Sequence, residues 1–185
     1  MGALVVQQNV SIDGYAADSS GEATFVAAPG DWRSIDSEEE RWLAGVDRIL
    51  LGATTYRLFA AFWPQETEEL IADRLNRTPK SVFSSTLVDA PWGDWAPARI
   101  ERGDVVQRIA AIKAETAGDL VLWGSLRLMR TALAAGLVDR VELRVMPVVM
   151  GAGVPTFDAP LDAELVSSAR HGDIVVLDYR MRPPR

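Results

Sequence analysis

The sequence predicts an α/β fold of three layers, in which helices cover both faces of a mostly parallel central sheet that finishes in an antiparallel hairpin. Two observations lead to this prediction. Short apolar segments alternate with amphipathic ones between residues 4 and 149, and such alternation is typical of parallel sheets. Two further apolar segments then flank His171-Gly172-Asp173, which is the pattern of a β-hairpin.

Seven apolar segments are predicted as strands, because each is bounded by a glycine, a turn or small polar residues. The first opens at residues 4–6 and ends at the Asp13-Gly14 turn, and the others cover residues 48–51, 80–84, 119–123, 138–149, 165–170 and 174–181. Helices are predicted where apolar residues recur every three or four positions and capping residues stand at the ends. They cover a segment from Ser34 or Asp36 to Leu43, and residues 54–62, 66–75, 104–115 and 126–135.

The composition excludes several classes of protein. A chain of 185 residues that is 48% hydrophobic can bury one core, so we expect a single domain over residues 1–185. The sequence has no cysteine and no histidine–carboxylate motif, which excludes thiol chemistry and gives no reason to expect a metal. A net charge of −7 disfavours nucleic acid as a partner. No apolar run reaches the ~20 residues of a membrane span and the first ten residues lack a basic leader region, so we expect a cytoplasmic protein without a membrane partner.

Small and polar residues follow three different predicted strands. Gly52-Ala53-Thr54-Thr55, Ser84-Ser85-Thr86 and Gly124-Ser125 stand where strands end, and two of these turns lead into helices. Each turn alone is most simply a tight connection. Together they predict a phosphate or ribose site, because ligands of parallel sheets bind beyond the carboxyl ends of the strands.

Other candidate residues lie in the first loop. Asp13-Gly14 is a common turn dipeptide, and the functional interpretation makes Asp13 a polar anchor or proton source beside a substrate. Trp32 is a candidate for lining a pocket. His171 is predicted to be a hairpin-tip residue. Residues 151–153 are not predicted to form a dinucleotide fingerprint, because no helical pattern follows them.

Seven segments of the chain, in order, resemble motifs of the dihydrofolate-reductase-like superfamily, and specifically its RibD C-terminal-domain branch, which occurs in riboflavin biosynthesis. The segments are residues 11–15, 50–56, 62–64, 80–87, 122–125, 136–139 and 147–153. The resemblance implies a reductase that binds NADPH across the strand ends. It places Asn9, Val10, Asp13 and Gly14 near the nicotinamide and substrate, Gly52, Thr54 and Thr55 at the phosphates, Ser84, Ser85 and Thr86 at the adenosine, and Gly124, Ser125, Leu126 and Arg127 at the pyrophosphate. Asn9, Tyr15, Trp32 and Asp36 are the candidates for contact with the substrate.

The chain departs from the family pattern at Ala53, where the motif has an arginine suited to the extra phosphate of NADPH. NADH is therefore an alternative cofactor. The reaction expected from the resemblance is hydride transfer to a C=N or C=O carbon of a small heterocyclic or sugar-like substrate.

Three alternatives stay open at this point. The first is reduction of a phosphoribosylamino-pyrimidine such as 5-amino-6-(5-phosphoribosylamino)uracil, which needs a basic pocket, and Arg33 is the only arginine near the first loop. The second is reduction of dihydrofolate, disfavoured because the helix after that loop lacks an obvious buried carboxylate, with Asp36 the one candidate. The third is a non-catalytic nucleotide-binding protein that kept the fold.

A homodimer is also expected. Arg140, Glu142 and Arg144 alternate with apolar residues in a segment predicted near the end of the sheet, and an exposed sheet edge is a liability unless it is paired or covered. The resemblance implies pairing through the same C-terminal region. The alternative is a monomer whose edge is blunted by those charges.

Overall fold

A computed structural model describes residues 2–27 and 32–182, except for the side chains of residues 26–27 and 32–34. Its strands are β1 (Leu4–Ser11), β2 (Tyr15–Ala17), β3 (Val46–Gly52), β4 (Lys80–Phe83), β5 (Arg99–Glu101), β6 (Asp119–Trp123), β7 (Arg140–Met146), β8 (Val154–Pro155), β9 (Ala163–His171) and β10 (Ile174–Met181). Its helices are α1 (Trp32–Leu43), α2 (Ala53–Phe62), α3 (Ala72–Arg77), α4 (Val105–Glu115) and α5 (Leu126–Ala134). Within the described residues, no helix has the length and apolar character needed to cross a membrane.

Eight strands form one sheet in the order β5-β4-β3-β6-β1-β7-β10-β9. All the pairings from β5 to β7 are parallel, whereas β10 runs antiparallel to both β7 and β9. The two short strands β2 and β8 pair separately. The predicted α/β fold with a mostly parallel sheet and an antiparallel C-terminal hairpin is confirmed.

Helices cover both faces of the sheet. Successive residues of a strand point to opposite faces, so the strands contribute apolar side chains to a core on each side. Leu4 and Val6 of β1 pack with Leu50, Leu120 and residues of α4 and α5 on one face. On the other face, a second apolar cluster joins residues of β3 and β6 to Leu43 at the end of α1 and to side chains of α2 and α3. The carboxyl ends of β1, β3, β4 and β6 therefore open at one edge between the two helical layers.

The predicted helix over residues 66–75 is wrong in its first half, because only Ala72–Arg77 is helical. The Glu66 carboxylate accepts hydrogen bonds from the backbone N–H groups of Glu68 and Glu69, at 2.7 and 3.3 Å. Side-chain bonds of this local type compete with the helical ladder, so the helix begins later. This leaves Glu69 in an irregular segment beside α1.

His171 is not the exposed tip residue that was predicted. It is the last residue of β9, it is only 5% exposed, and its Nε2 lies 3.7 Å from a carboxylate oxygen of Glu38 on α1. The turn that follows begins at Gly172, whose φ of +62° is a left-handed conformation. The turn is thus one residue shorter than predicted, while the second strand of the hairpin begins at Ile174 as predicted.

The charged face of β7 does not blunt a sheet edge, which corrects the interpretation made from the alternation. β7 lies inside the sheet, between β1 and β10, and β9 is the edge strand. Arg140 pairs with Asp178 of β10 at 2.5 Å, and Arg144 pairs with Glu39 of α1 at 2.8 Å. The charges of β7 therefore belong to buried or half-buried pairs.

The homodimer stays a prediction and now concerns β9. All residues of this strand except His171 are exposed, including Leu165 and Val166, so its outer edge is free to pair within the described structure. Light scattering at micromolar concentration should give about twice the 20.2 kDa chain mass, and Leu165→Glu should lower it toward the monomer value. A wild-type mass near that of one chain would refute the dimer.

Lys80, at the start of β4, is a buried cation that closes the C-terminal end of α3. Its Nζ donates to the carbonyl oxygens of Leu75, Asn76 and Thr78 at 2.7–2.8 Å and lies 4.5 Å from the centre of the Trp92 ring. Lys80→Met would leave these carbonyls without their donor, and we expect it to lower the free energy of unfolding by about 2–4 kcal/mol. The measurement is denaturant unfolding.

The matched control is Arg77→Met on α3, which removes an exposed 2.8 Å ion pair with Asp73 and a 5.4 Å contact with the Trp95 ring, and it should lower the free energy of unfolding much less than Lys80→Met. Equal effects of the two substitutions would contradict a special role for the buried lysine.

Candidate active site

A cavity of about 1540 Å³ lies along the carboxyl ends of β1, β3, β4 and β6. Helices α1, α2 and α5 and the segment after β5 form its walls. Of the predicted site residues, those that line the cavity are Asn9, Asp36, Gly52, Thr54, Thr55, Ser84, Ser85, Thr86, Gly124, Ser125, Leu126 and Arg127. The three polar turns selected from the sequence thus open into one space.

The Gly124-Ser125 turn brings two helix starts together. Both residues are left-handed, with φ of +56° and +55°. The Ser125 hydroxyl accepts from the Gly52 N–H at 2.7 Å and bonds the Thr55 hydroxyl at 2.8 Å, which ties the turn after β6 to the turn after β3. A Cβ on Gly124 would lie 3.1 Å from the Thr55 hydroxyl oxygen, so a side chain at this left-handed position would crowd Thr55.

Helix α5 begins at this turn and α2 begins beside it, after Gly52, and no side chain caps the N-terminus of either helix. Unbonded N–H groups and the positive end of the helix dipole make a helix N-terminus suitable for an anion. Two such termini in one cavity favour a ligand with more than one negative charge.

The turn after β4 lies next to an arginine that the sequence reasoning missed. The Ser84 hydroxyl accepts from the N–H groups of Thr86 and Leu87, at 3.2 and 3.1 Å, so this loop is closed by side-chain-to-backbone bonds. Arg102 donates to the carbonyl oxygens of Ser84 and Leu87, and it also lines the cavity. We call this region, together with the starts of α2 and α5, the anion end of the cavity.

One carboxylate at the anion end is already neutralised. Glu101 of β5 is buried, and it pairs with Arg108 at 2.7 Å and with Arg99 at 3.3 Å. It also accepts from the Ser81 hydroxyl at 2.9 Å. Arg102 and Arg127 therefore remain the cavity-lining cations of this end among the described residues.

The opposite end of the cavity is acidic, and we define this acidic end by Asp36, Glu39, Glu69 and Arg144. Asp36 is 6% exposed, and burial together with the negative charge of Glu39 raises the pKa of its carboxyl group to about 6. Asp36 is also hydrogen-bonded to Glu69. The interaction with Glu69 raises this pKa further, because it stabilises the protonated form of Asp36.

Arg144 of β7 is saturated by carboxylates. It lies 2.8 Å from Glu39, and its Nε donates to Glu142 at 3.2 Å. Burial alone would lower the pKa of the guanidinium, but these two carboxylates raise it above its ordinary value, so it stays charged. The sequence reasoning missed both Glu39 and Arg144, although the spacing of Asp36 and Glu39 on one helix face was an available signal.

The polar network continues from the acidic end to β6. Gln7 of β1 donates to Glu142 at 2.9 Å and accepts from the indole N–H of Trp123. The Trp123 ring lies 5.9 Å from the ring of Phe59, which lines the cavity on α2 together with Phe62 and with Trp63, the residue after the helix. An aromatic wall therefore stands close to the acidic end.

Four predicted site residues lie outside the cavity lining. Asp13 accepts from the Ser11 hydroxyl at 2.7 Å and from the N–H groups of Met150 and Gly151 at 3.1 and 2.7 Å. The Ser11 bond, with these backbone bonds, lowers the pKa of Asp13 to about 2. These contacts favour a structural role for Asp13, as a clamp between the first turn and the segment after β7.

The other three hold strands in place. Val10 is buried within β1, and Tyr15 pairs with Pro155 between β2 and β8. The Gly14 carbonyl accepts from the Thr156 hydroxyl at 2.9 Å and from its N–H at 3.0 Å. Trp32 opens α1, but its side chain lies outside the described residues, so its predicted place in the pocket stays a prediction.

Relatives of known structure share this fold. A Shewanella sp. PV-4 protein assigned to riboflavin biosynthesis superposes with a TM-score of 0.77 at 21% identity, covering 97% of this chain and 99% of that chain. The Thermotoga maritima diaminohydroxyphosphoribosylaminopyrimidine deaminase/5-amino-6-(5-phosphoribosylamino)uracil reductase gives 0.68 at 12%, covering 98% of this chain and 57% of that chain. Enterococcus faecalis dihydrofolate reductase, complexed with NADP(H) and RAB-propyl, gives 0.64 at 11%, covering 98% and 97%. At these identities the likeness shows the fold alone, which is dihydrofolate-reductase-like.

Sequence comparison is more specific. The chain is 25% identical over 158 residues to the uncharacterized protein YyaP of Bacillus subtilis, covering 83% of this chain and 79% of that protein. The profile of the RibD C-terminal domain matches residues 3–177, which is nearly the whole chain. The resemblance read from the seven motifs is confirmed: this chain belongs to the RibD C-terminal domain family, a family of reductase domains.

Proposed function

We propose that the protein is an oxidoreductase that uses NADPH to reduce a C=N or C=O carbon of a small heterocyclic substrate. One observation carries the proposal. A single cavity joins two helix N-termini that lack side-chain caps to the buried carboxyl group of Asp36, whose pKa is raised to about 6. Reduction of such a double bond needs a hydride at carbon and a proton at nitrogen or oxygen, and the two ends of the cavity suit these two requirements.

The residues at the anion end fit a dinucleotide. Gly124 leaves the backbone accessible where a Cβ would meet Thr55, and the starts of α2 and α5 suit the pyrophosphate. NADPH, when bound, supplies the hydride, and the protein binds, orients and excludes water. The proposed cofactor contacts are Gly52, Thr54, Thr55, Ser84, Ser85, Thr86, Gly124, Ser125, Leu126 and Arg127, with Arg102 added next to Ser84.

Asp36 is the proposed proton donor in place of Asp13. A general acid works best when its pKa lies near the operating pH and when it reaches the bound ligand. Asp36 lines the cavity and its pKa is raised to about 6, whereas Asp13 lies outside the lining and its pKa is lowered to about 2. Asn9 stays a proposed substrate contact at the end of β1.

Ala53 gives a prediction about cofactor choice. This residue begins α2 and lines the cavity. Ala53→Arg would add a charged hydrogen-bond donor worth about 1.5–3 kcal/mol for the extra phosphate of NADPH. The preference for NADPH over NADH should therefore rise about 10–100-fold, as measured by the two dissociation constants.

The control is Ala61→Arg, which places the same charge on the same helix at an exposed position outside the cavity lining. Equal shifts in the two variants would contradict the assignment of residue 53 to the phosphate. A strong preference of the wild type for NADPH would indicate that Arg102 or Arg127 already binds the extra phosphate of this cofactor.

A second candidate function is reduction of dihydrofolate. The sequence argument against it was the lack of an obvious buried carboxylate on the helix after the first loop, and this argument is wrong. Asp36 and Glu39 are both buried on α1 and both line the cavity. A phosphorylated pyrimidine, the kind of substrate in the name of the Thermotoga maritima reductase, is included in the substrate panel below.

The test of the proposal is a titration with NADPH, followed by its fluorescence, and then NADPH oxidation against a panel of pterins, pyrimidines and sugar-like carbonyl compounds. Micromolar binding and turnover of one panel member are expected. Tight binding with no turnover on any compound would favour a non-catalytic nucleotide-binding protein. Absence of NADPH and NADH binding would refute the proposed function.

A further inference from the structure

We infer that Glu69 is a proton relay between solvent and Asp36, so that Asp36 regains its proton from the surface of the protein while ligands fill the cavity. This inference rests on the proposed function, because it concerns the recovery of the proposed proton donor after each turnover. Glu69 acts on the reaction only through Asp36 and does not contact the reacting atoms.

A reduction of this kind consumes the proton of Asp36. The hydride forms a new C–H bond, and the electron pair of the C=N or C=O bond moves to nitrogen or oxygen. The O–H bond of Asp36 breaks as its proton bonds to that atom, which leaves a carboxylate. Asp36 is only 6% exposed and lines the cavity, so ligands that fill the cavity separate it from water. A second route for the proton is therefore needed.

Three charged side chains face Asp36 among the described residues, and only one of them reaches solvent. Glu39, on the same helix, has a side chain that is 3% exposed and lies 2.8 Å from Arg144 of β7. The Arg144 side chain is 9% exposed and stays charged. Glu69 is exposed, lines the cavity and is hydrogen-bonded to Asp36. It is thus the one carboxyl group of this set that contacts both Asp36 and water.

The backbone of Glu69 is held on both sides of its side chain. Its N–H donates to the Glu66 carboxylate at 3.3 Å, and its carbonyl oxygen accepts from the N–H of Ala72, the first residue of α3, at 3.0 Å. The Glu69 side chain therefore starts from a fixed point beside α1, while its exposed carboxyl group can exchange protons with water and with buffer acids.

The relay consists of two proton transfers. The carboxyl O–H bond of Glu69 breaks as its proton bonds to the Asp36 carboxylate across their hydrogen bond. A hydronium ion or a buffer acid then protonates Glu69. No electron is exchanged in either transfer. The net change is the uptake of one proton from solvent for each hydride transferred, which balances the reduction of a C=N or C=O bond by NADPH.

The first test needs no substrate. The Asp36 carboxyl group is titrated by carbon NMR in the cofactor-free full chain, in the wild type and in Glu69→Gln. Glutamine keeps the shape of the side chain, but it has no charge and no acid proton. The charge and the hydrogen bond of Glu69 both raise the pKa of Asp36, so Glu69→Gln should lower this pKa below the wild-type value of about 6. Glu68→Gln should leave it unchanged, because Glu68 is exposed and lies outside the cavity lining.

The second test is chemical rescue of turnover, with NADPH and the panel compound that the protein reduces. Glu69→Ala should lower kcat at about pH 6 by about tenfold or more, without changing the affinity for NADPH. Acetic acid should raise kcat of this variant about threefold or more, because it fits the gap left by the side chain and can pass on a proton. Pivalic acid is bulkier but of similar strength, and it should have a smaller effect. Neither acid should change kcat of the wild type.

The control for rescue is Glu68→Ala, which should lose no activity and should not respond to acetic acid. An Asp36 titration that Glu69→Gln leaves unchanged, equal losses of kcat in the two alanine variants, or a loss that acetic acid does not restore would each overturn the inference. Thermal unfolding checks that every variant is folded. These outcomes, with NADPH binding intact, refute the relay alone, whereas failure to bind either nicotinamide cofactor refutes the proposed function.

Discussion

Gly124→Asp is expected to abolish NADPH binding, with a loss of at least about 100-fold in affinity. The substitution would place a carboxylate where α2 and α5 begin, so it would repel the pyrophosphate that these helix ends suit. It would also force a side chain onto a residue with φ of +56°, with its Cβ 3.1 Å from the Thr55 hydroxyl oxygen. Titration of NADPH by fluorescence measures the loss.

The control is Gly172→Asp in the hairpin turn, which also places a carboxylate at a left-handed glycine, with φ of +62°, but outside the cavity lining. It should bind NADPH like the wild type. Thermal unfolding of both variants separates a defect in binding from a defect in folding. Wild-type affinity for NADPH in a folded Gly124→Asp variant would show that the cofactor does not bind at this turn.

The anion end was predictable because it depends on local features that repeat along the chain. The strand ends at Gly52, Phe83 and Trp123 follow from apolar segments that stop at small or polar residues. Parallel strands bring their carboxyl ends to one edge, so three turns distant in sequence had to meet. Arg102 was not predicted as a site residue because it follows β5, and this strand of three residues is too short to show a recognisable period in the sequence.

The acidic end was less predictable because it depends on contacts between distant parts of the chain. The alternation of charged and apolar residues in β7 was recognised, but a period of two cannot distinguish a solvent-facing surface from a polar cavity. The partner of Arg144 is Glu39, on a helix at the other end of the sequence. Only the three-dimensional arrangement makes these charges a site.

The predicted catalytic role of Asp13 stays a prediction, but it rests on a local motif and the contacts of the residue favour a structural role. Asp-Gly marks a turn in any fold, and the resemblance placed it beside the substrate. Its actual partners, Met150 and Gly151, come from the segment after β7 and were invisible to local reasoning. A carboxylate with three hydrogen-bond donors is held ionised, which is the wrong state for giving up a proton.

Asp36→Asn is expected to lower the rate of hydride transfer by about 100-fold or more, the usual contribution of a general acid. The active form of Asp36 is the protonated one, and its pKa is about 6. The wild-type kcat should therefore fall as pH rises above about 6, and the variant should lose this dependence while keeping NADPH affinity. The kcat profile between pH 5 and pH 9, roughly the range around this pKa, measures it.

The Asp36→Asn variant should be more stable than the wild type although its rate is lower. This combination separates a catalytic role from damage to the fold. Burial raises the pKa of Asp36 from 3.8 in the unfolded chain to about 6 in the folded protein, so the folded state binds more protons between these values. The resulting stabilisation is complete below about pH 4 and is lost as pH rises through 6. At pH 8 the buried charge is a cost that asparagine removes, so Asp36→Asn should raise the free energy of unfolding by about 1–3 kcal/mol.

The matched control is Glu40→Gln, which removes an exposed carboxylate from the same helix and should alter neither kcat nor stability at pH 8. A variant of Asp36 that is more stable, keeps its cofactor affinity and has a lowered kcat that no longer depends on pH fits a buried carboxyl group retained as a general acid. If the Asp36→Asn variant instead keeps the wild-type rate and pH profile, the proton comes from solvent, and the role of Asp36 is limited to binding the substrate.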